Sequence, residues 1–331
     1  MRGACDPKAL ASDPGARRQN WQYTLCIIDH GWSAMMASKM TTESTNGQHA
    51  QLDQYPVRDL VAAFIEDQFH AVQAVRHAAS DIAAAVEAAL PRLEAGGRLI
   101  YVGAGTSGRL GTLDSVELFP TFSWPHGRAI ALMAGGRAAM FDAIEGAEDD
   151  RAQGAADLLA LGPCMHDVVI LLAASGATPY VLGALDAARG HAALTIGIAN
   201  NPDAPLAQQA EIGITLATGA EVISGSTRLK AGTAQKIALN TISSALMVRL
   251  NKVYGNLMVD LRPTNAKLVL RAVRLTMHAT GADEHSARST LEQCHFHVKV
   301  AIVALAKQQS VDQAQALLAA ANGSVRMALL G

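Results

Sequence analysis

The run Leu99-Ile-Tyr-Val-Gly-Ala-Gly-Thr-Ser-Gly-Arg-Leu-Gly111 constrains this chain more than any other stretch. An apolar strand ends at Val102. A loop of Gly103, Gly105 and Gly108 follows, with Thr106 and Ser107 between the glycines, and a helix begins. Glycines let a backbone approach a ligand closely, and a helix start offers unpaired N–H groups and a positive dipole end. The ligand expected there is an anion. Gly103-x-Gly105-x-x-Gly108 fits the dinucleotide fingerprint, but that fingerprint needs an acidic residue at the tip of the second strand. The second strand is expected at 129–133 and runs into Ala134-Gly135-Gly136, with no carboxylate at its tip. The hydroxyls of Thr106 and Ser107 suit a phosphate monoester instead. A second loop of the same chemistry, Ser175-Gly-Ala-Thr178, follows the apolar run Asp167–Ala173. Gly105, Thr106, Ser107, Gly108, Ser175, Gly176 and Thr178 are therefore the expected phosphate and sugar contacts. The bland alternative is two ordinary strand-to-helix turns with capping hydroxyls. Two such loops favour the pocket.

Five short apolar strands are expected at 98–103, 129–133, 167–173, 194–198 and 212–216, alternating with helices. That pattern predicts a parallel sheet covered on both faces, with ligands at the carboxyl ends of its strands. Residues 57–95 carry apolar side chains at helical spacing up to Gly96-Gly97. A long helix is expected over 228–252 and another from Thr264 to Thr280, with Thr264 as its N-cap. From Ala282 the pattern is helical, with breaks near Gln309 and Gly323. Residues 1–39 lack a sustained period and read as an extension ahead of the domain, which is expected to start near Met40 and to run over 40–280. A C-terminal helical unit is expected over 281–331.

The 331 residues are 50% hydrophobic and 17% charged, enough for a large core. A net charge of −2 and 4% aromatic residues argue against nucleic acid and anionic membrane as partners. Cys5, Cys26, Cys164 and Cys294 show no paired spacing and read as free thiols in a reducing, cytoplasmic compartment. No signal-peptide or membrane-spanning pattern stands out, so a soluble chain is expected. His295 and His297, two apart on an expected helix, would point to different faces, so no metal site is expected.

Two carboxylates stand out. Glu117 lies in Asp114-Ser-Val-Glu-Leu-Phe-Pro120, and its apolar neighbours in sequence suit a proton donor. Glu148 lies in the acidic run Glu145-Gly-Ala-Glu-Asp-Asp150, which by itself reads as a solvated helix end. Ser226 and Lys230 are secondary candidates, with Arg228 and Lys236 near the same helix start; they could face a substrate or merely solvate the helix.

Several long segments resemble the N-acetylmuramic acid 6-phosphate etherase family of the sugar isomerase (SIS) superfamily. They are Tyr101–Gly111, Glu145–Asp149, Gly197-Ile-Ala-Asn-Asn-Pro202, Glu221–Lys236, Lys252–Asp260 and Thr264-Asn-Ala-Lys267. The resemblance implies an SIS-type three-layer α/β/α sandwich with a five-stranded parallel sheet. It also implies a homodimer and a cofactor-free lyase of amino-sugar recycling. Such a lyase cleaves the D-lactyl ether at C3 of the phosphosugar by elimination and hydration. The family's acid falls on Glu117 and its base on Glu148. Where the family commonly reads Ala-Ser-Glu-Cys-Pro-Pro, this chain has Ser115-Val-Glu-Leu-Phe-Pro120, with Val116, Leu118 and Phe119 more apolar. Where the family has Arg in Ser-Gly-Arg-Thr, this chain has Ala177. A phosphosugar aldose–ketose isomerase and a non-catalytic sensor similar to glucokinase regulatory protein are the alternatives. A sensor need not keep both carboxylates.

Overall fold

The computed structural model describes residues 40–263 and 265–331; the expected extension over 1–39, with Cys5 and Cys26, lies outside them. Five parallel strands form the sheet: β1 (Leu99–Gly103), β2 (Ala129–Met133), β3 (Val168–Ala173), β4 (Leu194–Ala199) and β5 (Ile212–Thr215). Their order is β2-β1-β3-β4-β5, with Leu99 level with Ala129 on one side and Val168 on the other. The central strands β1, β3 and β4 are buried throughout, while β2 and β5 are partly open at the edges. A strand covered on both faces needs apolar side chains at every position, which is why these runs are continuous rather than alternating.

Successive strand residues point to opposite faces and feed two different cores. Leu99, Tyr101, Ile170, Leu172 and Ile196 pack with α1 (Val57–His77), α2 (Ala79–Glu94), α3 (Gly105–Phe122) and α7 (Lys230–Arg249). Ile100, Val102, Val169 and Leu171 pack with α4 (Arg151–Leu159), α5 (Pro179–Gly190) and α6 (Pro205–Gln209). The result is the expected three-layer α/β/α sandwich. The helical stretch over 57–95 is two helices, broken at Ala78.

A short hairpin, β6 (Val253–Tyr254) and β7 (Leu257–Met258), leads to α8 (Ala266–Thr280). The N-cap of α8 is Asn265, whose side chain accepts from the Leu268 N–H, and not Thr264, which lies outside the described residues. The C-terminal helices are α9 (Glu284–Gln293), α10 (Val298–Lys307), α11 (Val311–Ala320) and α12 (Val325–Leu330). They form a separate core that also takes in Val259, Leu261, Ala272 and Val273. By packing, then, α8 belongs with the C-terminal helices, and the boundary expected at 281 falls inside one cluster. His295 and His297 sit in the turn between α9 and α10, exposed, rather than on a helix. Among the described residues no group of His, Cys, Asp and Glu is placed to hold a metal ion. No helix among them is long and apolar enough to cross a membrane.

Before α1, short 3-10 turns over 41–54 form a strap. Asn201, just past β4, holds it: the Thr42 N–H donates to Asn201 Oδ1 at 3.0 Å, and Asn201 Nδ2 donates to Thr42 Oγ1 at 2.8 Å. The Asn46 N–H donates to Ser224 Oγ at 3.0 Å.

Candidate functional site

The strand order reverses between β1 and β3, because β2 returns to the far side of β1. A crevice opens at such a point outside the carboxyl ends of the strands. Both hydroxyl loops leave from it, one after β1 and one after β3. In the first, Gly103 and Gly108 touch: a Cβ on Gly103 would lie 2.7 Å from the Gly108 nitrogen. Gly105 turns with φ +51° and faces open space, where a ligand can approach the backbone. In the second, Gly176 (φ +71°) presses on Ala204 and Ala199, 2.4 and 2.9 Å from where its Cβ would stand.

Neither loop spends its hydroxyls on capping. The N-cap of α3 is Ala104 and that of α5 is Thr178, and neither makes a side-chain cap hydrogen bond. Ser175 Oγ accepts from the Ala177 N–H at 3.2 Å and lies 3.5 Å from Thr178 Oγ1. Ser107 is buried, and its hydroxyl donates to Gln235 Oε1 at 2.8 Å. Gln235 Nε2 donates in turn to Asn200 Oδ1 at 2.9 Å. Asn200 Nδ2 donates to the carbonyls of Leu216 and Ala231. This chain ties the ends of β1, β4 and β5 to the first turns of α7. Thr106 is half-buried, with its methyl toward Gly232.

Glu117 lies on the outer half of α3. The apolar surroundings expected from its sequence neighbours are not what the side chain meets, because adjacent helix residues point to different faces. Leu118 goes into the core and Val116 to solvent. Glu117 itself is half-exposed and accepts from Lys236 Nζ of α7 at 3.4 Å. One turn earlier on α3, Asp114 is buried, accepting from Tyr101 Oη at 2.8 Å and from Ser243 Oγ at 3.1 Å. Burial pushes the Asp114 carboxyl up, against the pull of those two hydroxyls and of Lys236. Burial, and then Asp114 itself, pushes the Tyr101 hydroxyl well up.

Glu148 lies in an exposed 3-10 turn, Ala147–Asp149, entered through Gly146 at φ +72°. Arg109, on the first turns of α3, holds the chain that leads to this turn. Its guanidinium donates to the carbonyls of Ala139 at 2.7 Å and of Met140 and Asp142 at 3.3 Å each. The first hydroxyl loop and the Glu148 segment are thus mechanically joined.

Lys230 is paired inside the protein rather than standing free at the helix start. Its ammonium is buried, 2.7 Å from Asp67 Oδ1 of α1. Ser226 is half-buried in the loop before α7, and Arg228 is exposed. Glu221, buried, accepts from the N–H groups of Lys230 and Ala231 at 3.1 and 2.9 Å and so caps α7; burial raises its carboxyl. Sequence reasoning did not single out Gln235, Asn200, Asn201 or Asp114. The signal for the first three lay in the segments Gly197–Pro202 and Glu221–Lys236, where amide side chains stand at strand and helix ends.

Residues 81–189 match the family model of the glucokinase regulatory protein N-terminal SIS domain, and residues 165–245 match that of the SIS domain. The sheet order, the crevice and the two hydroxyl loops are those of an SIS-domain protein. Among the curated relatives named N-acetylmuramic acid 6-phosphate etherase are the following three. That of Deinococcus radiodurans is 55% identical over 294 residues, covering 89% of this chain and 96% of its own length. That of Pectobacterium atrosepticum is 50% identical over 292 residues, covering 88% and 96%. That of Salmonella enteritidis is 46% identical over 295 residues, covering 89% and 99%. The chain belongs to the N-acetylmuramic acid 6-phosphate etherase family, and is an enzyme that cleaves a carbon–oxygen bond.

Proposed function

We propose that this chain cleaves the D-lactyl ether of N-acetylmuramic acid 6-phosphate, giving N-acetylglucosamine 6-phosphate and D-lactate. The observation that carries the reading is the near-full-length likeness to etherases. The geometry supports it with hydroxyl loops at the switch point and two solvent-reachable carboxylates on elements tied to the first loop. The phosphate lies against the backbone of Gly105 to Gly108 and of Ser175 to Thr178, with the Thr106, Ser175 and Thr178 hydroxyls as donors. Ser107 joins by exchanging its bond to Gln235 for one to phosphate. In the ring-opened aldehyde, Glu148 takes the C2 proton. The electron pair left at C2 forms the C2–C3 double bond, and the C3–O bond breaks. Glu117 gives the leaving oxygen its proton, and water then adds at C3.

Release of D-lactate from N-acetylmuramic acid 6-phosphate by the purified protein tests the reading; no release overturns it. Substitutions in heavy water separate the roles. Glu148→Gln loses both C2 deuteration and lactate release. Glu117→Gln keeps some C2 exchange while lactate release falls by about 10²–10⁴, the worth of a placed acid. Near-normal lactate release by Glu148→Gln overturns the assignment of the base.

The working unit is a cytoplasmic homodimer. Its support is an apolar stripe on α1 formed by Val57, Val61, Ile65, Phe69 and Val72, all more than half exposed. This spacing keeps the five side chains on one helical face. Exposed apolar area of that kind marks an interface.

A further inference from the structure

The two-carboxylate scheme leaves one basic side chain in the α3–α7 wall without a task. Lys236 holds its ammonium 3.4 Å from Glu117 Oε2, with side-chain exposures of 30% and 53%. Among the described residues Glu117 is its one hydrogen-bond or ion-pair partner. The other cations close to the loops are engaged: Lys230 by Asp67, Arg109 by backbone carbonyls. Ala177, in the second loop, is buried and brings no charge. Lys236 also follows Gln235, whose side chain touches Ser107 in the first loop. The ammonium is thus held beside Glu117, on the same helix that meets the first loop through Gln235.

We infer that Lys236 holds the carboxylate of the lactyl leaving group and so selects ethers that carry one. The inference rests on the reading of Glu117 as the acid at the ether oxygen. The lactyl carboxylate is attached to the carbon that bears this oxygen. A side chain that donates to the oxygen is a neighbour of the carboxylate, and so is a cation in contact with that side chain. The charges balance in each state. To act as an acid Glu117 must carry a proton, so it is neutral, and the substrate carboxylate then supplies the counter-charge of Lys236. As the C3–O bond breaks, its electron pair goes to the oxygen, which takes the proton from Glu117. Lys236 now faces two anions, Glu117 and lactate, and is attracted more strongly than before cleavage. An interaction that grows along the reaction raises turnover as well as binding. A compact ammonium suits this task, because it can turn from one carboxylate to the other without a fixed fork geometry.

The test compares wild type, Lys236→Met and Lys236→Arg on N-acetylmuramic acid 6-phosphate and on its lactamide, whose leaving group has nearly the same size and no charge. Wild type should favour the carboxylate by about tenfold to a hundredfold in kcat/KM, the value of a charge-assisted hydrogen bond. Lys236→Met should lose that preference, falling on the carboxylate and changing little on the lactamide, with its melting temperature kept. Lys236→Arg should retain part of the preference. Equal loss on both substrates overturns the inference and places Lys236 with the phosphate or the fold. A wild type that turns over both equally overturns it while leaving the etherase reading intact. A wild type that releases no D-lactate overturns the etherase reading and the inference with it.

Discussion

Asp167 has 1% of its side chain exposed and accepts four hydrogen bonds. Two come from the Arg98 guanidinium at 2.9 and 2.6 Å, and two from the N–H groups of Arg98 and Cys164 at 3.1 and 3.0 Å. Burial alone would raise its carboxyl, but the Arg98 and backbone donors outweigh it and bring the carboxyl below its ordinary value of 3.8. A group with a depressed pKa in the folded state stabilises above its unfolded pKa. As pH falls through 3.8 and below, the unfolded chain takes up that proton first, and the contribution drains away. Asp167→Asn leaves Arg98 short of its acceptor and should cost about 3–5 kcal/mol at neutral pH. The loss should shrink in melts taken as the pH falls below 4. A loss that stays constant with pH would overturn the ion-pair account. At this scale the sequence misled in one way: Glu117 reads as apolar-flanked, yet its helix turns those neighbours aside and presents Lys236 instead. Lys230, read in sequence as facing either a substrate or solvent, is instead paired with Asp67, a partner 163 residues away that no local pattern points to.

The packing of α4 on α5 depends on a glycine from each helix. A Cβ on Gly154 would lie 1.9 Å from the Tyr180 carbonyl oxygen, and one on Gly183 would lie 1.9 Å from that of Arg151. Glycine in a helix interior costs stability relative to alanine, so both residues look like weak points when read in sequence alone. The close crossing reverses the sign. Gly183→Ala should lower stability by about 1–3 kcal/mol through overpacking. The double substitution with Gly154→Ala should cost less than the sum, because the helices separate only once. Thermal unfolding of the single and double variants measures this; strict additivity would show that the two sites do not share one displacement. The strands were legible to within a residue or two, since a fully buried parallel strand must be a continuous apolar run between breakers. Helix ends were less so. Asn265 caps α8 beside Thr264, and both side chains are of capping type.

Across the whole molecule, the α1 stripe and the strap make opposite demands on the surface. Ile65→Lys with Phe69→Lys should leave the fold in place and yield a monomer on sedimentation; a variant that stays dimeric places the interface elsewhere. The strap is anchored through Thr42 to Asn201, which also donates to the Ala174 carbonyl at 3.0 Å, beside the second hydroxyl loop. A chain beginning at Met40 should keep melting temperature and activity. One beginning at Val57 should lose substrate affinity, because the loop before α5 loses its brace. Unchanged affinity in the shorter chain would mean that the strap does not bear on the site.

By itself the sequence determined the sheet and the two Gly/Ser/Thr loops that follow β1 and β3. Each of these is a local pattern: burial on two faces forces apolar runs, and a close strand-to-helix turn forces glycine. Only the tertiary structure decided that Ser107 shares its proton with Gln235, that Lys230 is sealed by Asp67 and that α8 packs with the C-terminal helices. It also decided that Lys236 stands beside Glu117. Each of these contacts joins residues far apart in sequence, so its energy depends on a packing that no local pattern encodes.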